Sequence, residues 1–153
     1  MAFLDFEPPS RGFERLDETA CRALLAQKCI GRVALTMGAI PVVLPVNYQC
    51  VEGSIALRTG EGGKLTAATQ NAVVAFQVDE IDPVVHTGWS ILAVGIARAL
   101  TAPADLAWAE TLPLRSWAPG SRERIVRLVP EFLDGLLITS EANGSHFWPW
   151  GDR

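Results

Sequence analysis

The stretch Leu57-Arg58-Thr59-Gly60-Glu61-Gly62-Gly63-Lys64-Leu65 joins a strand end, a turn and a helix start. Ser54, Ile55, Ala56 and Leu57 lead into it with strand character, and Lys64 opens a helical segment that runs to Gln70. A guanidinium and a hydroxyl thus sit at a strand end, and three glycines follow within four residues. Glycine admits positive φ and close backbone approach. Bare N–H groups at a helix start form an anion site together with the positive end of the helix dipole. Arginine adds forked hydrogen bonds and lysine a point charge. Each part suits a phosphate. The spacing is not that of a P-loop, because Leu65 stands where Ser or Thr is required, and Gly60-x-Gly62 lacks the third glycine of the dinucleotide fingerprint. Read alone, the stretch equally fits a glycine-rich hairpin turn carrying solvated charges.

Working outward, the flanks read as short strands at hairpin spacing. Residues 30 to 37 and 41 to 49 are rich in Val, Leu and Ile and are separated by Gly38-Ala39. Pro41 and Pro45 each remove a ladder donor, which puts the second of these strands at an edge or mouth. Glu52-Gly53 is a tight turn before the strand over 54 to 59. Further strands follow over 72 to 81 and 88 to 100, with Gly95 as a bulge or close approach, and over 123 to 129. Pro130 is expected to break the last of these, with a resumption over 133 to 139. Helices are expected over 17 to 27 behind an Asp17 cap, over 63 to 70, and over 103 to 111 with Pro103 in its first turn. Residues 1 to 15 read as an irregular arm and 140 to 153 as an aromatic tail, both on one domain spanning 1 to 153. Such short strands with few helices suggest a mainly β, antiparallel barrel.

Composition narrows the function. A chain of 153 residues with 49% hydrophobic and 20% charged residues has enough apolar material for one packed core. The net charge of −4 argues against a general nucleic-acid binder. Arginine outnumbers lysine eleven to two, so Lys64 stands out. Cys21, Cys29 and Cys50 are odd in number and lack paired spacing, which suggests reduced thiols rather than a disulfide framework or metal site. With no signal-peptide pattern and no apolar run long enough for a membrane span, a cytoplasmic location is expected, away from membranes. The acidic group Asp79, Glu80 and Asp82 reads as a solvated strand end, and His86 and His146 as loop residues.

Five motifs occur in order: Gly31-Arg32-Val33-Ala34, Pro45-Val46-Asn47-Tyr48, Arg58-Thr59-Gly60-x-Gly62-x-Lys64-Leu65, Val74-Ala75-Phe76-x-Val78-Asp79-Glu80-Ile81-Asp82 and Gly88-Trp89-Ser90-x-Leu92-x-x-Gly95-x-Ala97. Together they resemble the pyridoxamine 5′-phosphate oxidase-like flavin-nucleotide-binding proteins, over about residues 14 to 139. The resemblance implies a six-stranded antiparallel split β-barrel that forms a homodimer, with two FMN sites at the dimer interface. By position, Arg58, Thr59 and Lys64 would hold the FMN phosphate. The strand Val46-Asn47-Tyr48 would lie along the flavin ring, partly through backbone atoms, and Trp89 would come to the ring edge from the neighbouring subunit. The implied activity is an FMN-dependent oxidoreductase passing electrons from a reduced nicotinamide to a small organic acceptor. A flavin-binding protein serving storage or sensing without turnover is the alternative, or a split barrel using a deazaflavin or haem. The vitamin B6 oxidases carry an Arg-x-x-Pro motif near the C-terminus, whereas this chain ends Phe147-Trp148-Pro149-Trp150-Gly151-Asp152-Arg153, so vitamin B6 oxidation is not expected.

Overall fold

The computed structural model describes residues 12–59, 71–114 and 124–139. Seven antiparallel strands and two helices follow one another as β1 (Phe13–Leu16), α1 (Glu18–Leu25), β2 (Ile30–Met37), β3 (Ile40–Val51), β4 (Ser54–Thr59), β5 (Ala72–Asp82), β6 (Thr87–Ala99), α2 (Pro103–Glu110) and β7 (Arg124–Ile138). The strand order is β1-β7-β4-β3-β2-β5-β6, and a further pairing of β7 with β6 closes six strands into a barrel. The expected helix over 63 to 70 lies outside the described residues.

β7 does the closing. One of its edges pairs with β6 from Val126 to Ile138. Its other edge pairs first with β4, from Arg124 to Leu128, and later with β1, from Gly135 to Ile138. The barrel is split along the interval between those two partners. Two expectations are corrected here. Residues 13 to 16, placed within or beside an irregular arm, form β1, because β7 offers them a free edge. Pro130 does not end a strand: β7 runs through it. Val94 faces Phe132 but Gly95 faces Pro130, so one extra residue is accommodated as a bulge. A Cβ at Gly95 would stand 2.0 Å from the Val129 carbonyl oxygen, which explains the glycine at this crossing. At the Glu52-Gly53 turn both residues have positive φ (48° and 76°), as a two-residue hairpin of this hand requires.

Alternation places Val33, Leu35, Val46, Tyr48, Ile55, Leu57, Val74, Phe76, Val78, Ile91, Val126 and Leu128 inside the barrel. The Tyr48 ring meets Phe76 edge-on at 4.8 Å between centroids, and its hydroxyl donates to the Leu25 carbonyl at 2.6 Å. That bond ties the end of α1 to the core. α1 begins where Asp17 accepts from Ala20 N at 2.7 Å, and it caps one barrel end with Cys21 and Leu25. α2 covers the outer face of β4, β6 and β7, where Trp108, Ala109 and Leu112 pack on Ala56, Leu100, Leu114 and Ile125. Arg127 stacks 5.3 Å from the Trp108 ring centroid and donates to Ser54 Oγ at 2.9 Å. No helix among the described residues is long and apolar enough to cross a membrane.

Burial sets an alkaline limit on this fold. Loss of water raises the Tyr48 phenol well above its ordinary 10.0, and the Cys50 and Cys29 groups nearby add to the effect. Burial likewise raises the Cys21 thiol above 9.0, with Asp134 and Asp17 adding to the shift, and raises Cys50 against the opposing pull of Arg22. The folded chain therefore keeps these protons to higher pH than the unfolded chain. Their contribution is full below pH 9.0 and is lost as pH rises past it. The urea midpoint is expected to hold from about pH 7 to about pH 9 and to fall by about pH 10, and Tyr48→Phe is expected to flatten part of that fall. A midpoint indifferent to alkali would contradict this account.

Candidate functional site

The candidate site lies outside the barrel, not within it. On β4 the side chains alternate, so Leu57 fills the core while Arg58 faces outward. Register then sets its neighbours: Ile30 pairs with Asn47, Asn47 with Arg58, and Arg58 with Ile125. These four positions form one outward row across β2, β3, β4 and β7. The row continues along β3 through Pro45, Val43 and Pro41, whose outer strand edge has no partner among the described residues. The prolines are therefore at an edge, as expected, and the missing N–H groups leave no ladder bond unmade.

Beside Arg58, the barrel wall and α2 border a half-open cavity of about 460 Å³. Its walls are polar and apolar in equal measure: Leu100, Leu106, Ala109, Leu114 and Ile125 supply the apolar part, and Arg58, Arg124, Thr101 and Glu110 the polar part. An Arg58 Nη1 donates to the Leu114 carbonyl, which carries the chain from α2 across the guanidinium. A volume of this size lies within the roughly 300–1,000 Å³ of small-molecule sites.

The sequence-predicted residues divide. Asn47 and Arg58 come together as cross-strand partners. Thr59 is 2% exposed and its hydroxyl donates to the Arg124 carbonyl at 3.2 Å, so it fastens β4 to β7 rather than facing outward. Val46 and Tyr48 direct their side chains into the core, where Tyr48 is held by Leu25, so only their main chains border the outer row. Trp89 belongs to the same core, with Lys28 Nζ 6.0 Å from its ring centroid and bonded to Glu80 at 2.7 Å. It stands at the opposite end of β6 from Leu100 and does not meet Arg58 within one chain. Lys64 lies outside the described residues.

The three carboxylates in the last four residues of β5 are all engaged. Asp79 accepts from Arg32 at 2.8 Å, Glu80 pairs with Lys28, and Asp82 caps Val84 N and Val85 N. His86 lies in the β5–β6 turn, far along β6 from the cavity. No group of three or more metal-ligating side chains occurs among the described residues. Arg124 and Glu110 were not read as site residues from sequence. Their placement depends on sheet register and on how α2 lies, and neither leaves a local mark.

Known proteins share this architecture. The sequence profile of the pyridoxamine 5′-phosphate oxidases matches residues 17–136. An uncharacterised protein of Mycobacterium tuberculosis is 31% identical over 138 residues, covering 87% of this chain and 90% of its own length. A Corynebacterium glutamicum structure assigned to the pyridoxamine 5′-phosphate oxidases superposes with a TM-score of 0.74 at 30% identity, over 84% of this chain and 94% of that one. The FAD binding protein of Mycobacterium smegmatis gives a TM-score of 0.69 at 30% identity, over 82% of this chain and 97% of that one. The barrel closed by β7, the motifs along it and the matched length lead to one conclusion: this chain belongs to the pyridoxamine 5′-phosphate oxidase family, with the split-barrel fold and the flavin-binding relatives of that family.

Proposed function

We propose that the outward row of Asn47 and Arg58 grips a flavin nucleotide, and that the chain is a flavin-dependent oxidoreductase. The observation that carries this is the placement of Arg58: an outward guanidinium on the strand that leads into the glycine stretch, beside a cavity of mixed polar and apolar lining. The residues fit the riboflavin phosphate unit, FMN. Arg58 supplies a forked donor to the phosphate, and Lys64 and the N–H groups of residues 60–63 complete the grip. Asn47 has the donors and acceptor that a flavin ring edge needs, and the main chain of Val46 and Tyr48 runs along the ring. When bound, a flavin supplies the electron transfer itself, from a reduced nicotinamide to a small organic acceptor. The chain's own residues bind, orient and screen; none of them is required as a nucleophile.

A second copy of the chain is the natural cover for the ring. The outer face next to the row carries Val43, Val73 and Val129, which are 62%, 60% and 51% exposed, with Ala34, Ala75 and Ile96 between them by register. Exposed aliphatic rows of this kind mark contact surfaces. A two-fold homodimer would bury the face and provide two equivalent slots. Val73→Asp is expected to convert a dimer to a monomer in sedimentation velocity and to weaken flavin binding with it. A wild-type chain that sediments as a monomer at micromolar concentration would remove the dimer from this reading.

The direct test is a titration of purified protein with FMN, followed by the visible flavin bands and by quenching of flavin fluorescence. Saturable binding, then bleaching of the bands by NADH or NADPH and their return with a quinone or nitro acceptor, is the expected result. Saturable binding without bleaching would favour storage or sensing over turnover. No binding would refute the proposal.

A further inference from the structure

We infer that Arg98 and Arg127, paired across β6 and β7 on the outer wall of the barrel, form a second anion site, one that takes a phosphate group. The site is separate from the Arg58 row and does not depend on the flavin reading.

Sheet register puts the two arginines together. Arg98 on β6 pairs directly with Arg127 on β7. Their chain neighbours Ala97 and Leu128 are fully buried in the core, so alternation turns both arginines outward. Like charges directly opposite one another weaken a ladder. The chain does not relieve this repulsion from within. Among the described residues neither guanidinium has a carboxylate at ion-pair distance, whereas Arg15, Arg22 and Arg32 each have one. The net charge is −4, so two adjacent uncompensated cations run against the average of the chain. An anion seated between them removes the repulsion and accepts charge-assisted hydrogen bonds from both.

Arg127 is held in place for this. Its Nε donates to Ser54 Oγ at 2.9 Å, and the Ser54 hydroxyl donates in turn to the Val51 carbonyl at 2.7 Å. On its face lies Trp108 of α2, with the ring centroid 5.3 Å from Cζ. These contacts use one N–H and one face of the guanidinium, and both Nη groups remain for a ligand. Arg98 is exposed, and its long side chain can adjust to meet the same anion. A fixed fork beside an adjustable one suits the oxygens of a phosphate. The next pair along these strands, Ile96 with Val129, belongs to the aliphatic face assigned above to a second copy. The arginine pair therefore lies at the rim of that face, beside α2.

The test is isothermal titration of the full chain, at constant ionic strength, with inorganic phosphate and with phenyl phosphate. It is repeated on Arg98→Ala, Arg98→Glu and Arg58→Ala. Arg98 is exposed, so its variants are expected to fold. The expected result is saturable binding that stays within about threefold in Arg58→Ala and weakens by about tenfold or more in Arg98→Ala. Arg98→Glu should abolish binding. It should also raise the urea midpoint of the phosphate-free chain, because a like-charge pair becomes an opposite one. Equal affinity for the two probes would identify free phosphate as the ligand, and tighter phenyl phosphate an ester. No saturable binding of either probe would overturn the site and leave the flavin reading intact. Binding that is lost in Arg58→Ala and kept in Arg98→Ala would also overturn it, because the phosphate would then occupy the flavin grip. Arg98-dependent phosphate binding in a chain that takes up no flavin would leave this site standing and refute the flavin reading.

Discussion

Phe76→Ala is expected to destabilise the chain by about 3–5 kcal/mol, the range for removing a buried aromatic ring. Phe76 is 0% exposed and stands on the inner face of β5. Its ring meets Tyr48 edge-on, and a Cβ on Gly31 would lie 2.3 Å from its Cζ, so the surrounding strands are fitted around it. Neighbours built this closely cannot collapse to fill the space, which places the cost at the upper end for its type. With a typical domain stable by about 5–15 kcal/mol, such a loss approaches the whole margin. Urea unfolding followed by tryptophan fluorescence should show a midpoint far below wild type, and Phe76→Leu a smaller fall. A Phe76→Ala midpoint close to wild type would mean that the barrel interior is not centred on this ring.

The second large effect concerns the ligand. Arg58→Ala is expected to weaken flavin binding by about 1.5–3 kcal/mol, the range for a hydrogen bond to a charged group, and Lys64→Ala by about 1–3 kcal/mol. Arg58→Lys should recover only part of the loss, because it restores the charge but not the fork. The partial rescue separates a binding role from the bond to the Leu114 carbonyl, which anchors the segment after α2. If all three variants bound flavin as wild type does, the phosphate grip would have to lie elsewhere. Circular dichroism on each variant should remain that of the wild type.

Much of the barrel was legible because it is written in period-two alternation. β2, β4, β5 and β6 fall within a residue or two of the expected limits, and the Asp17 cap, the Pro103 helix start and the Gly95 bulge stand where the local chemistry put them. β1 was missed because Phe-Glu-Arg-Leu has no strong strand signal of its own; it is ordered by an edge that forms far away in sequence. Pro130 misled for a related reason: a bulge absorbs it, and bulges depend on both strands. The site was legible in part. Asn47 and Arg58 were named and proved to be neighbours. Alternation alone says that Asn47 and Tyr48 cannot face the same side, and Tyr48 indeed points inward. Arg124 could not be found this way, since its place beside Thr59 follows from a pairing across 65 residues of chain.

The strand that completes the barrel is the last of the described strands to be synthesised. Until it emerges from the ribosome, β4 and β6 both present open edges with Val-, Leu- and Ile-rich inner faces, and β1 has nothing to dock on. Closure therefore depends on contacts of very high sequence separation, a topology that folds slowly and exposes the nascent chain to mispairing. A chain stopped before Arg124 would be left as an open sheet with two unpaired edges, so premature termination is expected to yield aggregates in place of a smaller soluble fragment.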